Sequence, residues 1–238
     1  MAWTLPDDCV LGIFGELPQP GRVKLRLAAE WGPDVAAEVY EAMLFDTLDA
    51  WDSPEILSPG GRRVLVYAPD EAGPWFDDRV PSSFAMQPQV DGDRGQRMEA
   101  FLAGELEDGA ERVVLIGADS PTLDPTIVVS AFLCLEGRDV VLGPATDGGF
   151  YLIGVRESVP TTLEGIDWDS PSVLSQTIDR LAETDRSLAV LPPWYTLDRP
   201  DDLRILAGHL RAMRRASFDP GLPRLERLCR GVQIGPER

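Results

Sequence analysis

The sequence predicts an α/β fold, an open, mixed but mainly parallel sheet with helices on both faces. Three observations carry this. Val113 to Ile116 and Val140 to Leu142 are short β-branched runs, each ending in a small-residue turn that holds one aspartate, Asp119 and Asp147. Stretches of helical periodicity alternate with such runs along the chain. With 238 residues, 44% of them hydrophobic, the chain can bury one full core. In an open parallel sheet the loops after the strands meet at one edge, so Asp119 and Asp147 are expected to face each other across a ligand site.

In chain order, Cys9 to Phe14 has the length and apolar character of a buried first strand. The Gly/Pro-rich loop GELPQPGRVKLRL follows and leads into a helix, with Gly15, Pro18, Pro20 and Gly21 setting its path. Arg22, Lys24 and Arg26 then place three cations at a helix start, where the dipole disfavours them. An anion bound there would relieve the conflict, so the loop reads as a phosphate cradle in which Gly21, Arg22 and Arg26 bind substrate. The spacing is neither G-x-x-x-x-G-K-[ST] nor G-x-G-x-x-G, and Glu16 in the same loop opposes an anion.

Asp34 to Trp51 repeats Val35, Val39, Met43 or Leu44, Leu48 and Trp51, the stripe of a helix covering a sheet. A turn-rich link from Ser53 to Gly61 leads to a second strand, Arg63 to Ala68, and Ser83 to Met86 reads as a short third. Between them Trp75 and Phe76 either roof a pocket or pack on the sheet. Gly92 to Glu107 is a helix whose first turn, DRGQRM, faces the loops. There Gly95 would allow close ligand approach, and Arg94 or Arg97 could reach a base or phosphate.

After Asp119 and Pro121, Asp124 and Pro125 make an N-cap and first helical position for a helix through Leu135. Asp147 opens an Asp-Gly turn into another strand, Phe150 to Val155, and Gly148 and Gly149 would let backbone approach a second substrate. A helix from Pro171 to Ala182, a last strand from Ser187 to Leu191 and a long closing helix complete the domain. Asp198, just before Pro200, either caps that helix or serves as a third ligand. Beyond Ser217 the pattern breaks, so residues 217–238 read as a tail on a single domain of residues 1–216.

A net charge of −18 opposes binding to nucleic acid or an anionic membrane. The region Arg199 to Arg238 departs from this, with nine Arg against five acidic residues, and is expected to pack on the acidic body. Cys9, Cys134 and Cys229 show no disulfide or zinc spacing, and His209 alone cannot build an imidazole metal site. No signal-peptide pattern and no membrane-length apolar run are present, so a soluble, cytoplasmic protein is expected. Lys24 is the one lysine in the chain.

From Val10 to Leu206, in unbroken order, the motifs resemble those of the bacterial GT-A-type transferases called DUF2064 or glycosyltransferase-A-like proteins, akin to molybdenum cofactor and lactyl-phosphate guanylyltransferases. FGELPQPGRVKLRL resembles that family's phosphate loop, DRGQRM its middle motif, GADSPTL and GPATDGGFYLIG its central pair, and IDWDSPSVL and LDRPDDL its later motifs. The resemblance implies a GT-A (nucleotide-diphospho-sugar transferase-like) fold. It also implies that Arg22, Lys24 and Arg26 hold phosphates, that Asp119 holds Mg²⁺ or Mn²⁺, and that Asp147 or Asp198 completes the metal site. Departures are Glu16 for a lysine, Leu25 for a threonine, Thr196 for an aspartate and Arg94 for an apolar residue.

The chemistry expected first is nucleotidyl transfer from a nucleoside triphosphate to a small phosphate or phosphonate ester, with Lys24, Asp119 and Asp147 as catalytic residues. Such transfer needs positioning and charge neutralisation more than His or Cys. Glycosyl transfer from a nucleotide sugar is the alternative, although Asp119 is followed by Ser120 and Pro121 and so lacks an Asp-x-Asp pair. A fold that kept binding but lost catalysis is the third. Partners are a nucleotide or nucleotide sugar and a small acceptor, with homodimerisation left open.

Overall fold

The chain alternates strands β1 (Cys9–Glu16), β2 (Arg62–Ala68), β3 (Phe84–Pro88), β4 (Arg112–Gly117), β5 (Val140–Pro144), β6 (Phe150–Arg156) and β7 (Leu188–Val190) with helices. The helices are α1 (Leu25–Trp31), α2 (Pro33–Trp51), α3 (Gly73–Asp77), α4 (Arg94–Glu107), α5 (Pro125–Cys134), α6 (Val173–Ala182), α7 (Pro200–Arg215) and α8 (Pro223–Gly231). This computed structural model describes residues 8–52, 61–159 and 163–231. Residues 53–60 of the expected link, and the last seven of the expected tail, lie outside them.

The strands form one sheet in the order β3-β2-β1-β4-β6-β5-β7. Every pairing is parallel except those of β6, which is antiparallel to both β4 and β5. The expected mixed, mainly parallel sheet is therefore present. The Asp-Gly turn explains the exception. A hairpin returns the chain beside β5 without a crossover helix, with Pro144 opposite Phe150 and the Ala145 N–H donating to Gly149 O at 2.9 Å.

Alternating strand residues divide the core between the two faces. Leu11, Ile13, Leu65, Val114 and Leu152 pack under α2 and α5. Val10, Val64, Leu115, Ile153 and Val155 pack under α4 and α6. Phe76 is fully buried in the first layer and Trp75 packs edge-on against it at 4.9 Å, so these aromatics cover the sheet and do not roof a pocket. At the start of α5, Asp124 accepts from the Thr126 N–H at 2.8 Å, a cap worth about 1 kcal/mol. Among the described residues no helix is long and apolar enough to cross a membrane.

The stretch after Ser217 differs from expectation. Leu222 and Leu225 are buried in a third cluster with Val39 and Met43 of α2 and Leu206 and Leu210 of α7. Asp46 of α2, fully buried, accepts from the Arg224 and Leu225 backbone N–H groups and from Arg224 Nη1 at 3.2, 2.9 and 3.0 Å. This short amphipathic segment was hidden by its high arginine content, yet it closes the layer outside α2.

Arg214 of α7 grips Glu226 of α8 with two bonds, 2.7 and 2.9 Å. That grip holds the Glu226 carboxyl below the ordinary glutamate range. A carboxyl lowered in the folded state contributes stability above its unfolded pKa and loses it as pH falls through the folded one. The α7–α8 contact is therefore expected to loosen in acid. Faster amide exchange in residues 223–231 on acidification, relative to α2 after correction for intrinsic rates, would show it, and Glu226→Gln should abolish the difference.

Candidate active site

Strand order reverses between β1 and β4, because β1 continues outward to β2 and β3 whereas β4 leads to the other half of the sheet. Phe14 and Gly117, register partners near the two strand ends, mark the divide. A cleft of about 680 Å³ opens there, and Lys24, Arg97, Asp119, Asp147 and Asp198 all line it. Parallel topology produces this convergence, since β1, β3 and β4 all release their loops at the same edge. The hairpin turn before β6 reaches that edge too, because β5 runs in the same direction.

Lys24 ends the loop after β1 in a left-handed conformation, φ 48° and ψ 51°, immediately before α1. A side chain other than Gly, Asn or Asp rarely adopts it, and the cost of about 1–2 kcal/mol is sustained by what the residue meets. Its side chain is only 7% exposed, and the ammonium lies 2.6 Å from Asp119 Oδ1 and 6.0 Å from the Tyr40 ring centroid. Tyr40 OH accepts from the Glu16 N–H at 2.9 Å, and burial pushes the phenol well above its usual pKa. Tyr40 thus fixes the start of the loop and stays neutral beneath Lys24. α1, a short helix, carries no capping side chain, and Lys24 and Arg26 are directed at Asp119 and Asp198.

The loop carrying Asp119 is tied to the segment before α7. The Leu197 N–H donates to Asp119 O at 2.8 Å, and Ser120 Oγ donates to Tyr195 O at 3.0 Å. These bonds bring Thr196 and Asp198 beside the strand ends. Thr196 Oγ1 donates to Asp147 Oδ2 at 3.1 Å, so the threonine at this position sets a donor and no second negative charge beside that carboxylate. Asp198 pairs with Arg26 at 2.9 Å. It is not the cap of α7: Arg199 holds that position, and Asp202 in the first turn reaches back to accept from the Asp198 and Arg199 N–H groups at 2.9 and 2.8 Å.

Two glycines serve packing and not ligand approach. A Cβ at Gly95 would stand 2.3 Å from Leu163 O, and one at Gly148 would stand 2.0 Å from Pro171 O. The flanking backbone already occupies the space expected for a substrate. Gly149 does line the cleft, and its N–H donates to Asp147 Oδ1 at 2.8 Å. Gly21, φ 76°, lies on the exposed part of the loop, where an added Cβ meets nothing within 4 Å, and its part is to turn the chain. Arg22, Arg94 and Arg97 line the cleft. Tyr40 and Gln89 were not singled out from sequence. A polar Gln just past a short strand is the one signal that could have pointed to the latter.

The cleft is lined by six cations, Arg22, Lys24, Arg26, Arg94, Arg97 and Arg199, against five acids. On a chain of net charge −18 this local balance favours an anionic ligand. The three aspartates do not form a metal cage. Among the described residues no three of His, Cys, Asp and Glu converge, and Asp119, Asp147 and Asp198 each have separate partners. Magnesium takes only one or two protein carboxylates when phosphates and water supply the rest, so a half-exposed Asp119 fits it chemically.

Comparison with known proteins places these motifs. Residues 56–170 match the family described as "Uncharacterized protein conserved in bacteria (DUF2064)". The chain is 34% identical over 160 residues to a 3-phospho-D-glycerate guanylyltransferase of Phenylobacterium zucineum (strain HLK1), covering 65% of this chain and 69% of that one. It is 31% identical over 132 residues to a 2-phospho-L-lactate guanylyltransferase of Halorubrum lacusprofundi, of which it spans about half, 54%. In structure it matches a "putative nucleotide-diphospho-sugar transferase" of Desulfovibrio desulfuricans G20 with a TM-score of 0.80 and 29% identity, over 94% of this chain and 97% of that one. With the sheet order, the cleft and these likenesses together, the chain belongs to the DUF2064 family of GT-A-type transferases.

Proposed function

We propose that the chain transfers a guanylyl group from Mg²⁺-bound GTP to the phosphate of a small phosphorylated acid. An acceptor phosphate oxygen forms a bond to the α-phosphorus, the bond from that phosphorus to the bridging oxygen breaks, and pyrophosphate leaves with the electron pair. The observation that carries this reading is the Lys24–Asp119 pair, a cation from the loop after β1 and an acid from the loop after β4, 2.6 Å apart at the strand reversal. Lys24 and Arg22 would neutralise the departing pyrophosphate. Asp119 would hold the metal, with Asp147 or Asp198 as a second carboxylate. The bound metal would supply charge neutralisation on the phosphate oxygens. The two curated relatives named above both act on acids that carry a phosphate, and the cationic balance of the cleft suits such an acceptor.

Glycosyl transfer is the second reading, favoured by the likeness to the Desulfovibrio protein and by Asp147, whose carboxylate faces the cleft and could serve as base. The two separate in one assay. Purified protein is incubated with Mg²⁺ and a panel of phosphorylated hydroxy acids together with each nucleoside triphosphate or each common nucleotide sugar, and release of pyrophosphate and of nucleoside diphosphate is followed. Release with GTP and one acid class is the expected result. Release of a nucleoside diphosphate from nucleotide sugars, without pyrophosphate from triphosphates, would replace nucleotidyl by glycosyl transfer, and no turnover of either would leave a binding protein.

A further inference from the structure

Gln89 lies one residue past β3 and uses its whole amide. Its Nε2 donates to Val66 O at 2.9 Å and to Gly15 O at 3.3 Å, and its Oε1 accepts from Arg97 Nη1 at 2.9 Å. Two carbonyls on one side of the amide leave only one orientation, with nitrogen towards β1 and β2 and oxygen towards α4. The backbone therefore fixes Gln89, and Gln89 fixes Arg97. Arg97 Nε also points at Asp93 O, 3.4 Å away. One N–H on Nη1 and both on Nη2 remain for the cleft, side by side in a planar fork. None of the ion pairs among the described residues involves Arg97.

A rigid fork without a carboxylate suits a ligand with two adjacent acceptors. Phosphate and the O6/N7 edge of guanine both qualify, but the surroundings favour the base. Lys24 on the loop after β1 and Arg26 in α1 are drawn towards Asp119 and Asp198 on the β4 side of β1, whereas Arg97, held through Gln89 by Gly15 and Val66, lies on the β2 side. Base and outer phosphates lie at opposite ends of a nucleoside triphosphate. Beside Arg94 and Arg97 of α4 the cleft is lined by Phe14, Met98 and Trp168, and the Trp168 ring stands 3.1 Å from where a Gly95 Cβ would be, against the first turn of α4. A flat purine would find there an aromatic wall and a guanidinium at its edge.

We propose that Arg97 reads the O6/N7 edge of guanine and that Gln89 is the positioning residue that aims it. This rests on the GTP reading above and names the residue that selects the base. Dissociation constants for GTP and 7-deaza-GTP, which lacks the N7 acceptor, are measured with Mg²⁺ for the wild type, Arg97→Leu and Gln89→Leu, with thermal melts to establish folding. The wild type should prefer GTP about tenfold, the scale of one bidentate arginine–guanine contact. Arg97→Leu should bind GTP at least about tenfold more weakly and show no preference, and Gln89→Leu should lose most of the preference while melting as a folded protein.

A wild type that binds both nucleotides equally would overturn the Arg97 assignment and leave GTP use standing. Equal losses for the two nucleotides in Arg97→Leu would move Arg97 to a phosphate. A wild type that binds no GTP would overturn both proposals.

Discussion

Asp119→Asn is expected to lower Mg²⁺-dependent turnover by about a thousandfold, the scale of removing one preorganised electrostatic group from a phosphoryl-transfer site. The neutral side chain has nearly the same shape, so the loop held by the Leu197 N–H to Asp119 O bond stays in place. What changes is charge. Lys24, 7% exposed, would lose its counterion at 2.6 Å, and a metal at this position would lose its anionic ligand. With Asp119 half-exposed, the melting temperature should move little. Activity assays and a melt on the same preparation check this; retention of more than about a tenth of wild-type turnover would remove Asp119 from the metal site.

Asp46→Ala is expected to destabilise the protein by about 3–5 kcal/mol, with no direct contact to the cleft. Asp46 is fully buried and receives three hydrogen bonds from residues 224 and 225. Burial holds its carboxyl above the ordinary range even with those donors present. Truncation strands the two backbone N–H groups, although Arg224 keeps its pairing with Asp49, and the penalty for unpaired buried groups exceeds the net worth of the bonds themselves. For a chain of this size the melting temperature should fall by roughly 10 °C or more. Urea unfolding measures the loss; a change under about 1 kcal/mol would mean that α8 is held by its leucines alone.

The sheet could be read from sequence because each strand carries its own signal. Cys9 to Phe14 and Val113 to Ile116 are apolar and β-branched, and the cap at Asp124 is a local contact two residues long. The convergence of Asp119 and Asp147 followed from topology. Contacts between distant loops were not legible. Nothing in the string links Lys24 to Asp119 or Thr196 to Asp147, and only the folded edge makes them partners. Gly95 and Gly148 misled for a related reason: a missing Cβ marks close approach without saying whether Leu163 O, Pro171 O or a ligand approaches. Asp198 failed as a cap because Arg199 holds the N-cap position and the Asp198 carboxylate turns to Arg26. The α8 segment was missed because nine residues rich in arginine carry too weak a pattern, and its docking depends on an acid 178 positions away.

The Arg26–Asp198 bridge joins residues 172 positions apart, one before the first helix ends and one just before the seventh begins. The cleft is thus a seam closed by both ends of the domain. During synthesis the site lacks this wall until residue 198 has left the ribosome, so a ligand that needs it stabilises longer chains more than shorter ones.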